Sequence, residues 1–277
     1  MNIKHMRLVL GMLCILLAST FASSRTYVPA TEIPVFESFA TLSAISYCDL
    51  NGWTCGSYCD EFPNMIVVTT FSTDITRTTG YVARDDLNKA IYVSYRGTFY
   101  LQNNLFDVLF ELVPYLPVTG AMVHQGFYSS FNEVIDLVYG NVSQQLANYP
   151  DYKVVVLGHS LGAAVALLST LDLHQRLQSL NVSNLFLYTF GEPRVGNPTF
   201  AQYATELGFP TVRLINQNDI YPVLPPRALG YEHEGTEYWI EDAQGNTVIC
   251  PQLEDPTCSD SVRLVQRNLT VHFHYYK

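Results

Sequence analysis

The sequence predicts an α/β fold with a central, mostly parallel sheet flanked by helices. Its clearest strand is the valine-rich run at residues 152–157, the pattern of a strand buried on both faces of a sheet. An alanine- and leucine-rich segment at residues 163–177 follows closely and has the composition of a helix. Residues 25–277 can bury one large core, and no repeat or linker divides them, so we expect a single domain.

The remaining elements are predicted from short apolar runs along the chain. A helix is expected at Phe36–Tyr47, ahead of the sheet. The other predicted strands are Met65–Thr70, Thr79–Ala83, Ala90–Tyr95, Leu185–Phe190, Thr211–Ile215 and Thr236–Ile240.

The first 24 residues have the pattern of a secretory signal peptide. Lys4 and Arg7 precede the apolar run Leu8–Ala18, and small residues follow as far as Ser24. About 11 apolar residues are too few for a membrane anchor, which needs about 20. We therefore expect a signal peptide at residues 1–24, a domain at 25–277, no transmembrane segment, and a secreted or lumenal protein.

The charge balance is acidic. The chain carries 15 Lys and Arg against 25 Asp and Glu, a formal net charge of −10, and loss of Lys4 and Arg7 with the signal peptide makes it −12. Such a surface disfavours nucleic acid as a partner, because phosphate binding needs basic side chains.

Cysteine usage fits an oxidising compartment. Cys14 leaves with the signal peptide, and the spacing of the others lacks the paired ligands of a zinc site, so no metal is expected. Two local disulfides are the simplest pairing, and they leave Cys48 without a partner. The predicted pairs are Cys55–Cys59 and Cys250–Cys258.

Three Asn-x-Ser/Thr triplets are candidate N-glycosylation sites in a secreted protein. They begin at Asn141, Asn181 and Asn268.

The run Gly158-His-Ser-Leu-Gly162 matches G-x-S-x-G between a predicted strand and a predicted helix. In that context the glycines permit a sharp turn that exposes Ser160 as a nucleophile, and the helix N-terminus supplies N–H groups for an oxyanion. The alternative is a plain glycine-flanked turn. Neighbours on a sharp turn point apart, so His159 is interpreted as a packing residue.

A serine nucleophile needs a base, and the base needs an acid that holds its tautomer. The expected chain order is Ser, then Asp or Glu, then His. Asp219 follows a predicted strand, which places its carboxylate near the turn at Ser160. Its alternative role is an ordinary turn residue before a proline-rich stretch.

The chain resembles the secreted lipase class 3, or fungal lipase-like, family of α/β-hydrolases over nearly all of residues 25–277. The resemblance implies an α/β-hydrolase fold, with Ser160 as nucleophile and Asp219 as the orienting acid. The matching blocks are Ser94-Tyr-Arg-Gly-Thr98, Val123-His-Gln-Gly-Phe127, Gly158-His-Ser-Leu-Gly162, Tyr188-Thr-Phe-Gly-Glu-Pro-Arg-Val-Gly-Asn197, Asn218-Asp-Ile-Tyr-Pro-Val-Leu-Pro-Pro226 and Glu237-Tyr-Trp-Ile240.

Two donors are predicted to form an oxyanion hole. One is the amide of Leu161, directly after the nucleophile. The resemblance implies that Thr98 supplies the second donor. From the residues alone, Thr98 would be an ordinary threonine at a strand end.

The resemblance implies His272 as the catalytic base, because the family ends in His-x-x-Tyr and Tyr275 stands in the matching place. His274 has no assigned role: on a strand it would share the face of His272, and on a helical turn only one could meet Ser160. His124 is expected to make a structural hydrogen bond, His233 to lie in a loop or on the surface, and His174 to pack in a helix.

Residues 99–118 form an apolar segment after Thr98 that the resemblance implies is a lid, opening at a lipid surface. The alternative is a core helix, since Leu101, Leu105, Val108 and Leu112 have helical spacing. Many family lipases carry a tryptophan in this segment, whereas this chain has Asn104 near the matching place.

The predicted activity is hydrolysis of carboxylic esters, first of all triacylglycerols at a lipid–water interface. The alternatives are a phospholipase A1-like esterase, a feruloyl-type esterase and, more remotely, a non-catalytic lipid-binding protein of the same fold. No cofactor is expected, because no nucleotide-binding loop or metal-ligand spacing is present, and we expect a monomer.

Overall fold

A nine-stranded sheet forms the centre of the described part of the protein. The computed structural model describes residues 25–50, 53–98 and 110–276. The strands are β1 (Thr26–Tyr27), β2 (Met65–Ser72), β3 (Thr79–Asp85), β4 (Ala90–Tyr95), β5 (Leu112–Pro114), β6 (Met122–His124), β7 (Lys153–His159), β8 (Leu185–Phe190), β9 (Thr211–Asn216), β10 (Glu237–Ile240) and β11 (Thr247–Cys250). The helices are α1 (Ile33–Ile45), α2 (Ser57–Asp60), α3 (Gln125–Asn148), α4 (Leu161–Arg176) and α5 (Pro198–Glu206).

The sheet is parallel in its middle and antiparallel at its edges, in the order β1-β11-β10-β9-β8-β7-β4-β3-β2. Strands β4, β7, β8, β9 and β10 pair in parallel, so their carboxyl ends meet at one edge. Strands β5 and β6 form a separate antiparallel pair. The predicted α/β class with a mostly parallel sheet is confirmed.

Alternate residues of β7 explain why helices cover both faces. Val154 and Val156 pack in the core formed with α3 and α4, whereas Val155 and Leu157 pack in the core formed with α1. Because side chains alternate along a strand, a run with valine in nearly every position is buried on both sides.

Most predicted elements lie within two residues of their observed bounds, and α1 is the exception at its start. It begins at Ile33 rather than Phe36. Pro34 is tolerated in the first turn of the helix, because the N–H that proline lacks would have no helical acceptor there. Strands β1, β5, β6 and β11 and helices α2, α3 and α5 were not predicted. No helix of the described residues has the length and hydropathy needed to cross a membrane.

The disulfide prediction is right for one pair and wrong for the other. Cys250 and Cys258 are bonded as predicted. Cys55 is bonded to Cys48, with their Cα atoms 5.8 Å apart, and not to Cys59. Gly56 has a φ of 57° and turns the chain between Cys55 and Cys59. Cys59 makes no disulfide bond; it is free, buried and packed in the core against α1.

Buried charges lie between strands β8 to β10 and the loop that contains Glu254. Arg194 makes two hydrogen bonds of 2.7 and 2.8 Å to the carboxylate of Glu254. Arg213 lies within 4.0 Å of both Glu234 and Glu237. Glu192 is fully buried nearby, and the negative charge of Glu234 adds to burial in raising the pKa of Glu192 well above its ordinary value. Burial and the charge of Glu234 therefore both favour the protonated form of Glu192.

Candidate active site

Ser160 lies on a strained turn between β7 and α4. Its φ of 58° and ψ of −128° are costly for a residue with a side chain, by about 1–3 kcal/mol. The flanking glycines permit the turn: a Cβ on Gly158 would overlap the backbone of Gly162, and a Cβ on Gly162 would overlap the carbonyl of Tyr95. The amide of Ser160 donates to Phe190 of β8, which fixes the turn against the sheet. The expected strand–turn–helix context is present.

Asp219 and His272 are in contact although 53 residues separate them. The Nδ1 atom of His272 lies 2.7 Å from Oδ2 of Asp219, and both side chains are fully buried. The amide of Tyr221 donates to the other carboxylate oxygen, Oδ1, at 2.9 Å. These bonds assign the proton of a neutral His272 to Nδ1. Its Nε2 atom is buried and has no hydrogen-bond partner among the described residues, which leaves a lone pair available as a base.

The turn that carries His272 is a 3-10 helix, Thr270–Phe273. This outcome corresponds to the helical-turn alternative, because His272 is buried whereas His274 is exposed. The side chain of Asn216, at the end of β9, donates to the carbonyls of Val271 and His274, each at 2.9 Å. The ring of Tyr221 lies 3.9 Å from that of His272 between centroids. The turn is thus held by contacts from β9 and the loop after it.

Tyr275 is a site residue to which the sequence analysis gave no role. Its hydroxyl donates to Oδ2 of Asp219 at 2.8 Å, so that oxygen accepts from both Tyr275 and His272. The same hydroxyl accepts from the amide of Asn216 at 3.2 Å. The tyrosine of the His-x-x-Tyr pattern was the available signal.

Thr98 and Leu161 both border a cavity of ≈ 350 Å³ that Ser160 also lines. Thr98 follows β4, and Leu161 is the first residue of α4. Most of the lining is apolar. The remaining lining residues are Thr76, Phe110, His124, Gly126, Phe127, Ser130, Pro193, Tyr221, Leu224 and Pro225.

The chain comes very close to Ser160 just before Thr98. A Cβ on Gly97 would lie 2.8 Å from the Cβ of Ser160 and from the carbonyl oxygen of His159. Only a glycine at this position allows the Thr98 segment to reach the turn. The segment 99–109, which contains most of the predicted lid, lies outside the described residues. Leu112, the last residue of the alternative helical stripe, lies in strand β5.

His159 makes specific hydrogen bonds that its interpretation as a packing residue missed. Its Nδ1 lies 2.6 Å from the hydroxyl of Tyr47, and its Nε2 lies 2.8 Å from the carbonyl oxygen of His272. Burial, with a contribution from His272, lowers the pKa of His159 to about 3. The ring is therefore neutral at physiological pH.

The other histidines lie outside this arrangement. His124 makes the expected structural hydrogen bonds, since its Nδ1 accepts from the amides of Gly126 and Phe127 at the start of α3. His233 is in a loop, but the surface alternative is wrong: it is buried and its Nε2 lies 2.7 Å from the carbonyl of Pro222. The neighbouring buried charges explain how a polar loop can be internal. His174 packs in α4 and bonds to the carbonyl of Leu180.

One trio of potential metal ligands occurs among the described residues, formed by Glu237, Cys250 and Cys258. Both sulfurs belong to the disulfide, so they cannot act as thiolate ligands.

Three comparisons place the chain among known proteins. The family described as Lipase (class 3) matches residues 92–229. The lipase of Rhizomucor miehei is 46% identical over 237 residues, which cover 83% of this chain and 65% of that lipase. The solved lipase of Rhizopus microsporus var. chinensis has a TM-score of 0.88 and 39% identity, covering 91% of this chain and 89% of that chain. The chain belongs to the class 3 lipase family.

A further solved relative is described as a triacylglycerol lipase whose catalytic centre is a serine protease triad. It has a TM-score of 0.86 and 44% identity, and the match covers 90% of this chain and 96% of that one. The match of the present chain covers only 65% of the length of the Rhizomucor miehei lipase and 60% of the length of the Rhizopus niveus lipase. The predicted α/β-hydrolase fold is confirmed.

Proposed function

We propose that this protein is a serine carboxylic-ester hydrolase acting on triacylglycerols, with Ser160, His272 and Asp219 as its catalytic triad. One observation carries the proposal: the buried 2.7 Å bond between His272 and Asp219 leaves Nε2 of the imidazole without a partner in the described structure. A base with a fixed tautomer and a serine on a strained turn at an apolar cavity are the groups that acyl transfer requires.

The reaction would proceed through an acyl-enzyme. Ser160 Oγ attacks the ester carbonyl while His272 Nε2 takes the hydroxyl proton. The tetrahedral intermediate then collapses, the bond to the alcohol oxygen breaks, and His272 protonates the leaving alcohol. Water repeats these steps on the acyl-enzyme and releases the carboxylic acid. Asp219, held by Tyr275 and by the amide of Tyr221, stabilises the imidazolium that forms in each half.

The negative charge of the tetrahedral intermediate would be stabilised by Leu161 and Thr98. The amide of Leu161 begins α4, where the N–H groups of the first turn have no helical acceptors and carry a partial positive charge. Thr98 borders the same cavity from the end of β4. Two donors from different elements suit an oxyanion, because both can be fixed before the charge develops.

The lining of the cavity supports a long apolar acyl group. Phe110, Phe127 and Leu224 are among the side chains around Ser160, and His124 is held neutral there because burial lowers its pKa to about 4. A neutral, largely apolar cavity suits a fatty acyl chain better than a charged or phenolic one. The phospholipase A1-like and feruloyl-type alternatives have no support among the compared proteins.

Exposed apolar side chains near the site support action at a lipid surface. Phe273 adjoins His272 and is 45% exposed, while Leu264 and Val265 are 66% and 88% exposed in the segment that leads to it. Contiguous patches of exposed apolar side chains are typical of surfaces that bind a partner or a membrane. We propose that these residues contact lipid, and that residues 99–118 act as the lid.

A fluorophosphonate probe and three substrates test the proposed function. We expect the probe to modify Ser160, as read by mass spectrometry of the adduct peptide, and to leave Ser160→Ala unmodified. Emulsified triolein should be hydrolysed faster than phosphatidylcholine or a soluble feruloyl ester. A protein that takes up no probe would be a binding protein, and one active only on the feruloyl ester would contradict both the lipase proposal and the lid.

Secretion and glycosylation remain proposals supported by the sequence pattern. Asn181 and Asn268 are exposed, whereas Asn141 lies within α3 and its side chain donates to the carbonyl of Leu137. Expression in a eukaryotic host should yield medium-borne protein that loses mass on peptide-N-glycosidase treatment. Single Asn→Gln variants would show which positions are occupied, and retention of the whole product inside the cell would contradict secretion.

A further inference from the structure

A chain of hydrogen bonds, buried at the His272 end and partly buried along the rest, joins the segment before Thr98 to the turn that carries His272. The amide of Gly97 donates to the hydroxyl of Tyr47 at 2.9 Å. That hydroxyl lies 2.6 Å from Nδ1 of His159, and Nε2 of His159 lies 2.8 Å from the carbonyl oxygen of His272. Four separate segments therefore meet through two side chains, Tyr47 just after α1 and His159 at the end of β7.

The chemistry of each group fixes the direction of these bonds. A carbonyl oxygen only accepts, so the proton of the neutral His159 ring is on Nε2 and is donated to His272. The Nδ1 atom must then accept, and the Tyr47 hydroxyl donates to it. Burial raises the pKa of Tyr47 well above its ordinary value, so the hydroxyl keeps the proton that this bond requires. Both side chains are thereby held in one orientation.

The two ends of this series of hydrogen bonds, at Gly97 and at His272, are the parts of the site that lie farthest apart in sequence. Gly97 precedes Thr98, the proposed second oxyanion donor, and the carbonyl at the other end belongs to the proposed base. His159 directly precedes Ser160, and its ring lies 4.5 Å from the ring of His272 between centroids. The bonds therefore span from the oxyanion side of the nucleophile to the base side.

We propose that Tyr47 and His159 are positioning residues, which fix the distance between the oxyanion segment and the base on either side of Ser160. The inference rests on the proposed function of Ser160 and His272. Each positioning residue acts through a backbone group, the Gly97 amide or the His272 carbonyl, and sets where Thr98 and the His272 ring stand relative to the nucleophile.

A packing role alone makes a different prediction from a positioning role. A buried aromatic side chain that only fills space can lose its hydroxyl or ring nitrogens and still leave turnover unchanged. Displacement of catalytic groups by a fraction of an ångström instead lowers the rate of the chemical step while substrate binding continues. We therefore expect Tyr47→Phe and His159→Phe to lower kcat by about 10- to 100-fold with KM within about twofold.

Matched variants separate these roles. Tyr81→Phe is the control, because Tyr81 is also a buried tyrosine and its hydroxyl donates to the α1 residue Leu42 at 2.7 Å, away from Ser160. It should lose comparable stability in urea and keep the kcat of the parent. His159→Gln retains an N–H donor near the position of Nε2 and should recover part of the kcat lost in His159→Phe. In a chain of bonds, the Tyr47→Phe/His159→Phe double variant should lose little more than the worse single variant.

The downfield proton signal of the His272 Nδ1–H···Asp219 bond provides a readout that does not need turnover. We expect this NMR signal to shift or broaden in Tyr47→Phe and His159→Phe and to stay at the parental position in Tyr81→Phe. Parental signal and parental kcat in both test variants would overturn the positioning role. A parent that takes up no fluorophosphonate would contradict the proposed function instead, and the NMR comparison would still decide the inference.

Discussion

The turn at Ser160 and the turn at His272 hold their functional side chains in opposite ways. Ser160 is oriented by its own neighbours, since β7 ends at residue 159, α4 begins at residue 161, and two glycines permit the backbone angle between them. His272 lies in a short 3-10 turn held by side chains from distant segments, among them Asn216 and His159. The proposed nucleophile is thus positioned locally, whereas the proposed base depends on tertiary contacts.

The largest expected effect comes from removing either functional side chain. Ser160→Ala and His272→Ala should each lower kcat by about 10⁴–10⁶-fold, and the double variant should be little worse, because triad members act as a unit. Initial rates on emulsified triolein measure this loss. His274→Ala is the matched control, since His274 is exposed two residues away and should leave kcat unchanged. A dead His274→Ala with an active His272→Ala would contradict the assignment of the base.

Thr98→Val tests the proposed oxyanion donor beside the turn at Ser160. The variant keeps the shape of the side chain and removes its hydroxyl, so we expect kcat to fall at least tenfold, toward the loss of about 10²–10³ seen when an oxyanion donor is removed. Circular dichroism and urea unfolding should show an intact fold. Since Val keeps the backbone amide, a parental kcat would mean that the hydroxyl of Thr98 is not the second donor.

Asn216→Ala tests whether tertiary contacts hold the base. The variant loses both bonds from Nδ2 to the carbonyls of Val271 and His274, which should cost about 1–3 kcal/mol in the free energy of unfolding and lower kcat several-fold. Asn64→Ala is the control, because Asn64 is exposed in a turn outside the site and is not a candidate glycosylation position. If Asn216→Ala lost stability and kept its kcat, the 271–274 turn would not need these bonds to place His272.

The same contrast explains which features the sequence predicted. The turn at Ser160 is encoded in five consecutive residues, and strand β7 before it has an unambiguous apolar pattern, so both were predictable. Asp219 could be proposed from its place after a strand. His272 required the resemblance to a family, because nothing local separates it from His274 until the 3-10 turn buries one and exposes the other.

The features that were missed depend on distances between remote segments. The Cys55–Cys59 pairing was chosen for short spacing, whereas Cys48 at the end of α1 is the residue that comes within bonding distance of Cys55. Tyr47 lies 112 residues before His159, so no spacing rule joins them. His233 was expected in a loop or on the surface because its sequence is polar, and the buried charges of Arg194 and Glu254 that accommodate it come from other parts of the chain.

The smallest effect is expected from Glu192, a buried carboxyl one residue beyond Gly191, which lies against His272. Burial and the nearby negative charge of Glu234 raise the pKa of Glu192 well above the ordinary value of 4.5, although the positive charge of Arg213 opposes the shift. Between that ordinary value and the raised pKa, the folded protein holds a proton that the unfolded chain has lost. The free energy of unfolding must therefore decrease as pH rises through this window, by up to about 1.4 kcal/mol per pH unit.

Glu192→Gln should remove this decrease, because the amide is neutral at every pH. Urea unfolding between pH 5 and 9 is the measurement, and we expect the curve of the variant to be flatter, with its largest advantage over the parent at alkaline pH. Glu206→Gln makes the same change on the exposed helix α5 and should leave the slope unaltered. Parallel curves for parent and Glu192→Gln would mean that Glu192 is ionised in the folded protein. A flatter curve with unchanged kcat at pH 7 would show that the buried carboxyl of Glu192 contributes to the pH dependence of stability, while the contacts of Asn216 and His159 set the position of the proposed base.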